Sequence, residues 1–161
     1  MPSREGDPVA ARRGLFRVGM LAVALPQVAI STWALVAPHS FYRDFPGGGR
    51  HWLPPLGSFN GHLINDYGSF TLGLSVGLIL AAIWADRRAV QVALAAWLVG
   101  ATPHLIWHAA NTDAYGTTDN VGSLVGLALY VIVPLGLLVL TRTPRPQAAA
   151  ASATAKAGEE T

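Results

Sequence analysis

Four apolar stretches, at roughly 14–37, 59–85, 89–110 and 121–141, each approach the ~20 residues that an α-helix needs to cross a bilayer core. A chain with this pattern has few folding options. In lipid, each segment must satisfy its own backbone polar groups, so such stretches form helices that pack on one another. The breaks between them are turn-forming or charged: Pro38 to Leu56, then Asp86-Arg87-Arg88, then Asn111 to Asn120. The sequence therefore predicts an all-α integral membrane four-helix bundle over 14–141, preceded by a polar segment at 1–13. An outer connection runs at about 38–56, and a disordered Ala/Thr/Pro-rich tail at 142–161 lacks the apolar residues to build a core. Composition agrees, since 52% of the residues are hydrophobic and 12% are charged, with a mean hydropathy of +0.38, against about 25% charged in a soluble domain.

The distribution of basic residues sets the orientation. Arg4, Arg12, Arg13, Arg17, Arg87, Arg88, Arg142, Arg145 and Lys156 fall on one side of a four-span chain, and only Arg43 and Arg50 on the other. Both termini are expected to be cytoplasmic in a multi-pass cell-membrane protein. Arg12-Arg13-Gly14-Leu15-Phe16 faintly resembles a twin-arginine start, and Leu35-Val36-Ala37 a cleavage site. The apolar run is too long for an ordinary signal, and its removal would spoil the charge asymmetry. The net charge of +2 does not point to nucleic acid, because the basic residues sit at segment ends rather than along a stripe. The absence of cysteine excludes disulfides, thiolate catalysis and cysteine-ligated metal or iron–sulfur sites.

Ionisable residues inside apolar spans are costly and point to function. His62 and Asp66 are an i,i+4 pair on the second span, and His104 and His108 another on the third, so each pair shares a helix face. With an antiparallel hairpin turning near Arg87 and a rise of about 1.5 Å per residue, Asp66 lies level with His108 and His104 with Phe70. All four polar residues then fall in the outer, non-cytoplasmic third of one helix pair. This arrangement predicts a transition-metal site of zinc, copper or iron, with His104 and His108 as ligands, His62 completing the shell and Asp66 orienting or bridging. The competing expectation is that these side chains only hydrogen-bond across helices. Haem ranks below a metal ion, because no two histidines stand opposed at one depth, although His39 or His51 could supply a ligand. Pro103 frees the carbonyl of Val99 and would kink the third span toward His104.

The outer connection carries Phe41, Tyr42, Phe45 and Trp52 around Pro46-Gly47-Gly48-Gly49. It reads as an interfacial aromatic anchor or, alternatively, as a lid over the polar site. The glycine run is no phosphate loop, since it lacks the following Lys and Ser/Thr. Gly73/Gly77 and Gly122/Gly126 are small-xxx-small patterns suited to close helix approach, within the bundle or toward a second copy or partner membrane protein. Gln27, Ser31 and Thr32 on the first span are further candidates to face the cluster.

Phe41-Tyr42-Arg43-Asp44-Phe45-Pro46-Gly47-Gly48-Gly49, Asn60-Gly61-His62-Leu63-Ile64-Asn65-Asp66-Tyr67-Gly68 and Pro103-His104-Leu105-Ile106-Trp107-His108 together resemble small four-span bacterial membrane proteins loosely similar to DoxX-like proteins. The resemblance covers about 14–141 and implies four helices and a membrane location, with no assigned reaction. Its pattern has Glu, Arg and a third His where this chain has Gly61, Asn65 and Asn111. Two functions follow as expectations: a membrane metalloprotein, with oxidoreductase chemistry as one outcome, or a non-catalytic membrane accessory subunit. A transporter is held in reserve, because no internal repeat relates the two halves.

Overall fold

The computed structural model describes residues 7–142; residues 1–6 and all of the expected tail except Arg142 lie outside the described residues. Six α-helices are present among the described residues. Asp7 caps a single turn, α1 (Pro8–Ala11), by accepting from the Val9 amide at 2.9 Å. Val9 is fully buried there, so the end of the N-terminal segment is part of the core. The four long helices are α2 (Arg13–Val36), α4 (Gly61–Trp84), α5 (Arg87–Ala110) and α6 (Thr117–Leu140). Each is long and apolar enough to cross a membrane. Large apolar side chains face outward on all four, among them Val18, Ile83, Val99 and Ile132, a pattern consistent with a multi-pass membrane protein.

The fourth long helix starts about one turn earlier than the apolar run, at Thr117, because polar Thr117 to Asn120 form its first turn. The outer connection is also ordered. It begins with α3 (Pro38–Asp44), continues as a hairpin of β1 (Pro46–Gly47) and β2 (Arg50–His51), and ends in a 3-10 turn at Pro54–Leu56. Gly47, Gly48 and Gly49 take φ of +99°, +64° and +76°, a run that only glycine accommodates without strain.

α2 packs along α4, and α5 along α6, giving two close pairs joined by the tight turn at Ala85 and Asp86. Asp86 caps α5, accepting from the amides of Arg88 and Ala89 at 3.0 Å each. At the same end Arg17 donates from Nε to the Ala82 carbonyl at 3.0 Å and from Nη2 to the Ile83 carbonyl at 3.1 Å. It thereby satisfies carbonyls that a helix C-terminus leaves without partners. Gly19 abuts Leu137, and Gly68 abuts Leu35 and the Ser31 carbonyl. These two glycines let helices approach, whereas a Cβ at Gly73, Gly77 or Gly126 would meet nothing within 4 Å. The expected small-xxx-small faces therefore do not close this bundle on itself.

The core has two parts. A larger one near the Asp86 turn joins Phe16, Met20, Leu78, Val90, Leu94 and Leu137, and a smaller one at the opposite end joins Ala34, Phe41 and Ile64. Phe41 reaches the second cluster because α3 folds back beneath the hairpin, so this aromatic is a packed core residue rather than a surface anchor.

Candidate functional site

Between the two core clusters lies a cavity of about 880 Å³, walled by α2, α4, α5 and α6 and covered by the outer connection. Its lining is mainly aliphatic and aromatic, with Trp33, Phe45, Trp52, Phe70, Trp97 and Tyr130 contributing rings. Among these stand a few polar groups: Gln27, Tyr67, Thr71, His104, His108, Tyr115 and Ser123.

His104 and His108 come together as their spacing predicts. Their rings lie 5.0 Å apart on the cavity wall, His104 exposed and His108 half-buried. The His108 ring stacks nearly parallel to Tyr115 at 6.2 Å, and its Nδ1 is 3.4 Å from Ser123 Oγ. His62 and Asp66 also pair, with Nε2 to Oδ2 at 3.3 Å, but their side chains are 87% and 41% exposed and neither lines the cavity. The four residues thus form two pairs on different surfaces. Among the described residues, no three His, Asp or Glu are grouped to hold a metal ion. The reason is angular. α4 turns Leu63, Ile64, Tyr67, Phe70, Thr71 and Leu74 toward the cavity, and at about 100° per residue positions 62 and 66 fall to one side of that face. Depth itself is as the antiparallel ladder requires, since Leu74 lies 3.8 Å from where a Gly100 Cβ would stand.

The other two histidines lie in the outer connection. His39 stacks on Phe59 at 4.0 Å, and His51 Nδ1 meets the Arg43 carbonyl at 2.6 Å.

At the opposite wall Gln27 and Ser31, candidates from the sequence, meet Tyr67 and Thr71, which the sequence did not single out. Gln27 Nε2 donates to Ser31 Oγ at 3.2 Å and to the Tyr67 hydroxyl at 3.1 Å, and Ser31 Oγ is 2.8 Å from Thr71 Oγ1. Gln27 and Ser31 are 6% and 0% exposed. The available signal was the pairing of two i,i+4 polar couples, Gln27/Ser31 and Tyr67/Thr71, on two otherwise apolar helices.

The cover is clasped from the far side. Tyr115 donates its hydroxyl to the Trp52 carbonyl at 2.8 Å, Arg50 forms an ion pair with Asp119, and the Trp52 indole lies 3.6 Å from where a Gly122 Cβ would stand. Burial, and secondarily the Asp119 charge, push the Tyr115 phenol above its ordinary pKa. Asp44 is held below the usual carboxylate range, chiefly by its hydrogen bond from Arg43.

Fold and site together define a bundle of four long helices with a largely apolar, ligand-sized cavity under an aromatic cover. Comparison with known families, characterised proteins and solved structures returns no match.

Proposed function

We propose that this chain is a multi-pass cell-membrane protein that binds a lipid-soluble small molecule in the cavity at its non-cytoplasmic end. The cavity carries the reading. Its size and its apolar lining with few polar groups are those of small-molecule sites. The outward apolar surfaces of all four long helices support membrane placement, and the excess of Arg and Lys beside the N- and C-terminal segments supports cytoplasmic termini. The motif resemblance to DoxX-like proteins supports the same location and adds no reaction.

The test uses Gly126, which lines the cavity and has open space above it. Gly126→Phe projects a ring from a position whose Cβ would meet nothing within 4 Å. Solvent extracts of wild-type protein purified from membranes are expected to contain a lipophilic compound, read by mass spectrometry, that the equally well-folded variant lacks. Identical extracts from both would sink the proposal.

A second reading rests on the two imidazoles facing one cavity. Here a zinc, copper or iron ion is held by His104 and His108, with its remaining positions filled by water or the bound molecule. His62 and Asp66 would act only from outside this shell, given their separate pairing. Metal analysis and an absorbance spectrum of wild type beside His104→Ala/His108→Ala test it. A stoichiometric metal lost in the variant supports the ion, and equal, trace metal in both removes it. The exposed Gly73/Gly77 face is proposed as a surface for a second copy or partner membrane protein, read by cross-linking in native membranes.

A further inference from the structure

We infer that the Tyr67 hydroxyl is a fixed hydrogen-bond donor into the cavity, so that the molecule bound there carries an oxygen acceptor, such as a carbonyl, on its apolar frame. This rests on the cavity being a binding site, and it deepens that reading by naming the chemistry the ligand must present.

The donor direction follows from counting hydrogens. Thr71 Oγ1 donates to the Tyr67 carbonyl at 2.6 Å, the one-turn back-bond common for threonine in helices. A hydroxyl has one hydrogen. In the 2.8 Å contact between Ser31 and Thr71, Thr71 must therefore accept and Ser31 donate. Ser31 has then spent its own hydrogen and can only accept from Gln27, so the amide nitrogen, not the amide oxygen, faces it at 3.2 Å. The reversed amide would leave that contact with no hydrogen. The second N–H of the same nitrogen reaches the Tyr67 hydroxyl at 3.1 Å. Tyr67 thus accepts from Gln27, and no acceptor among the described residues takes its own hydrogen. Tyr67 lines the cavity, beside apolar Ile64 and Phe70.

A donor left unpaired beside apolar groups is costly. A ligand oxygen at this point removes that cost, whereas a pure hydrocarbon leaves it in place. His104 and His108 impose no such polarity, because each neutral imidazole offers one donor and one acceptor.

Two probes of similar size and the same two rings compare the oxygen: benzophenone, which has a carbonyl, and diphenylmethane, which has a methylene in its place. Binding to full-length protein in nanodiscs is measured by calorimetry, with empty nanodiscs subtracted. Wild type is expected to bind both, benzophenone about five- to tenfold tighter, the worth of one neutral hydrogen bond. Tyr67→Phe should abolish the preference and leave diphenylmethane unchanged. Because Tyr67→Phe orphans a Gln27 N–H, the Gln27→Leu/Tyr67→Phe double variant, which removes both partners, is measured beside it and should behave alike. Equal binding of the two probes to wild type, or a preference that survives in both variants, overturns the assignment of Tyr67 while leaving the cavity reading intact. Binding of neither probe, or binding unaffected by Gly126→Phe, overturns the cavity reading and this inference with it.

Discussion

Gly68→Ala tests whether α2 and α4 are held at contact distance by a missing side chain. A Cβ at position 68 would stand 2.8 Å from Leu35 Cγ, 3.1 Å from Leu35 Cδ2 and 3.1 Å from the Ser31 backbone oxygen. Leu35 can change rotamer only in part, because the close atom is its branch point, and the carbonyl cannot move without its helix. Overpacking of this kind costs about 1–3 kcal/mol. Gly77→Ala is the matched control on the same helix, since nothing lies within 4 Å of its Cβ. In ordinary unfolding both substitutions would gain about 1 kcal/mol of helix propensity. Unfolding by SDS leaves helices largely formed in the denatured state, so that gain cancels and the packing term stands alone. The expected result is Gly68→Ala less stable than wild type by about 1–3 kcal/mol, with Gly77→Ala unchanged. Gly68→Ala as stable as Gly77→Ala would refute the close approach and the α2–α4 register built on it.

Arg17→Met removes two side-chain bonds to the Ala82 and Ile83 carbonyls, which should cost about 1–2 kcal/mol in the same SDS titration after allowance for partial exposure. Tyr115 has its folded pKa raised above the unfolded value of 10.0, so its contribution is fully present below that value and is lost as pH rises through the folded one. Proteolysis within 46–57 is therefore expected to accelerate above about pH 10 in wild type, and already at pH 8 in Tyr115→Phe; equal rates at every pH in both proteins would refute the clasp on Trp52. Ser31→Ala orphans a buried Gln27 N–H and should cost about 1–3 kcal/mol. Gln27→Met, which removes the first donor of the chain and orphans no hydrogen, should cost less, and a reversed ranking would contradict the donor directions.

The long helices were legible because an apolar run of about 20 residues is the length a bilayer core requires, and an end shifted by more than two residues only at Thr117, where polar residues form a helical turn. The outer connection was legible as an aromatic, glycine-bearing cap, but its helix, hairpin and 3-10 turn were not. What places Phe41 in a core is the return of α3 onto Ala34 and Ile64, a tertiary contact with no local signature. Rotation about the helix axis was the hidden variable on α4. A helix that is apolar on every side does not announce which face turns inward, so the depth of His62 and Asp66 could be read and their direction could not.

A depth criterion would have found the other wall. His62 and Asp66 sit within the first two turns of α4 and remain exposed, where water or lipid headgroups can satisfy them and no protein partner is required. Thr71 lies a further turn inside the same helix, and Gln27 near the middle of α2. At that depth an unpaired polar group costs kilocalories, so partners at matching depth become obligatory. Two apolar helices that each carry an i,i+4 polar couple at one depth are thereby constrained to face each other, as Gln27/Ser31 and Tyr67/Thr71 do. For this chain the deep neutral groups define α2–α4 geometry, and they leave His104 and His108 on the far wall free to meet whatever the cavity holds.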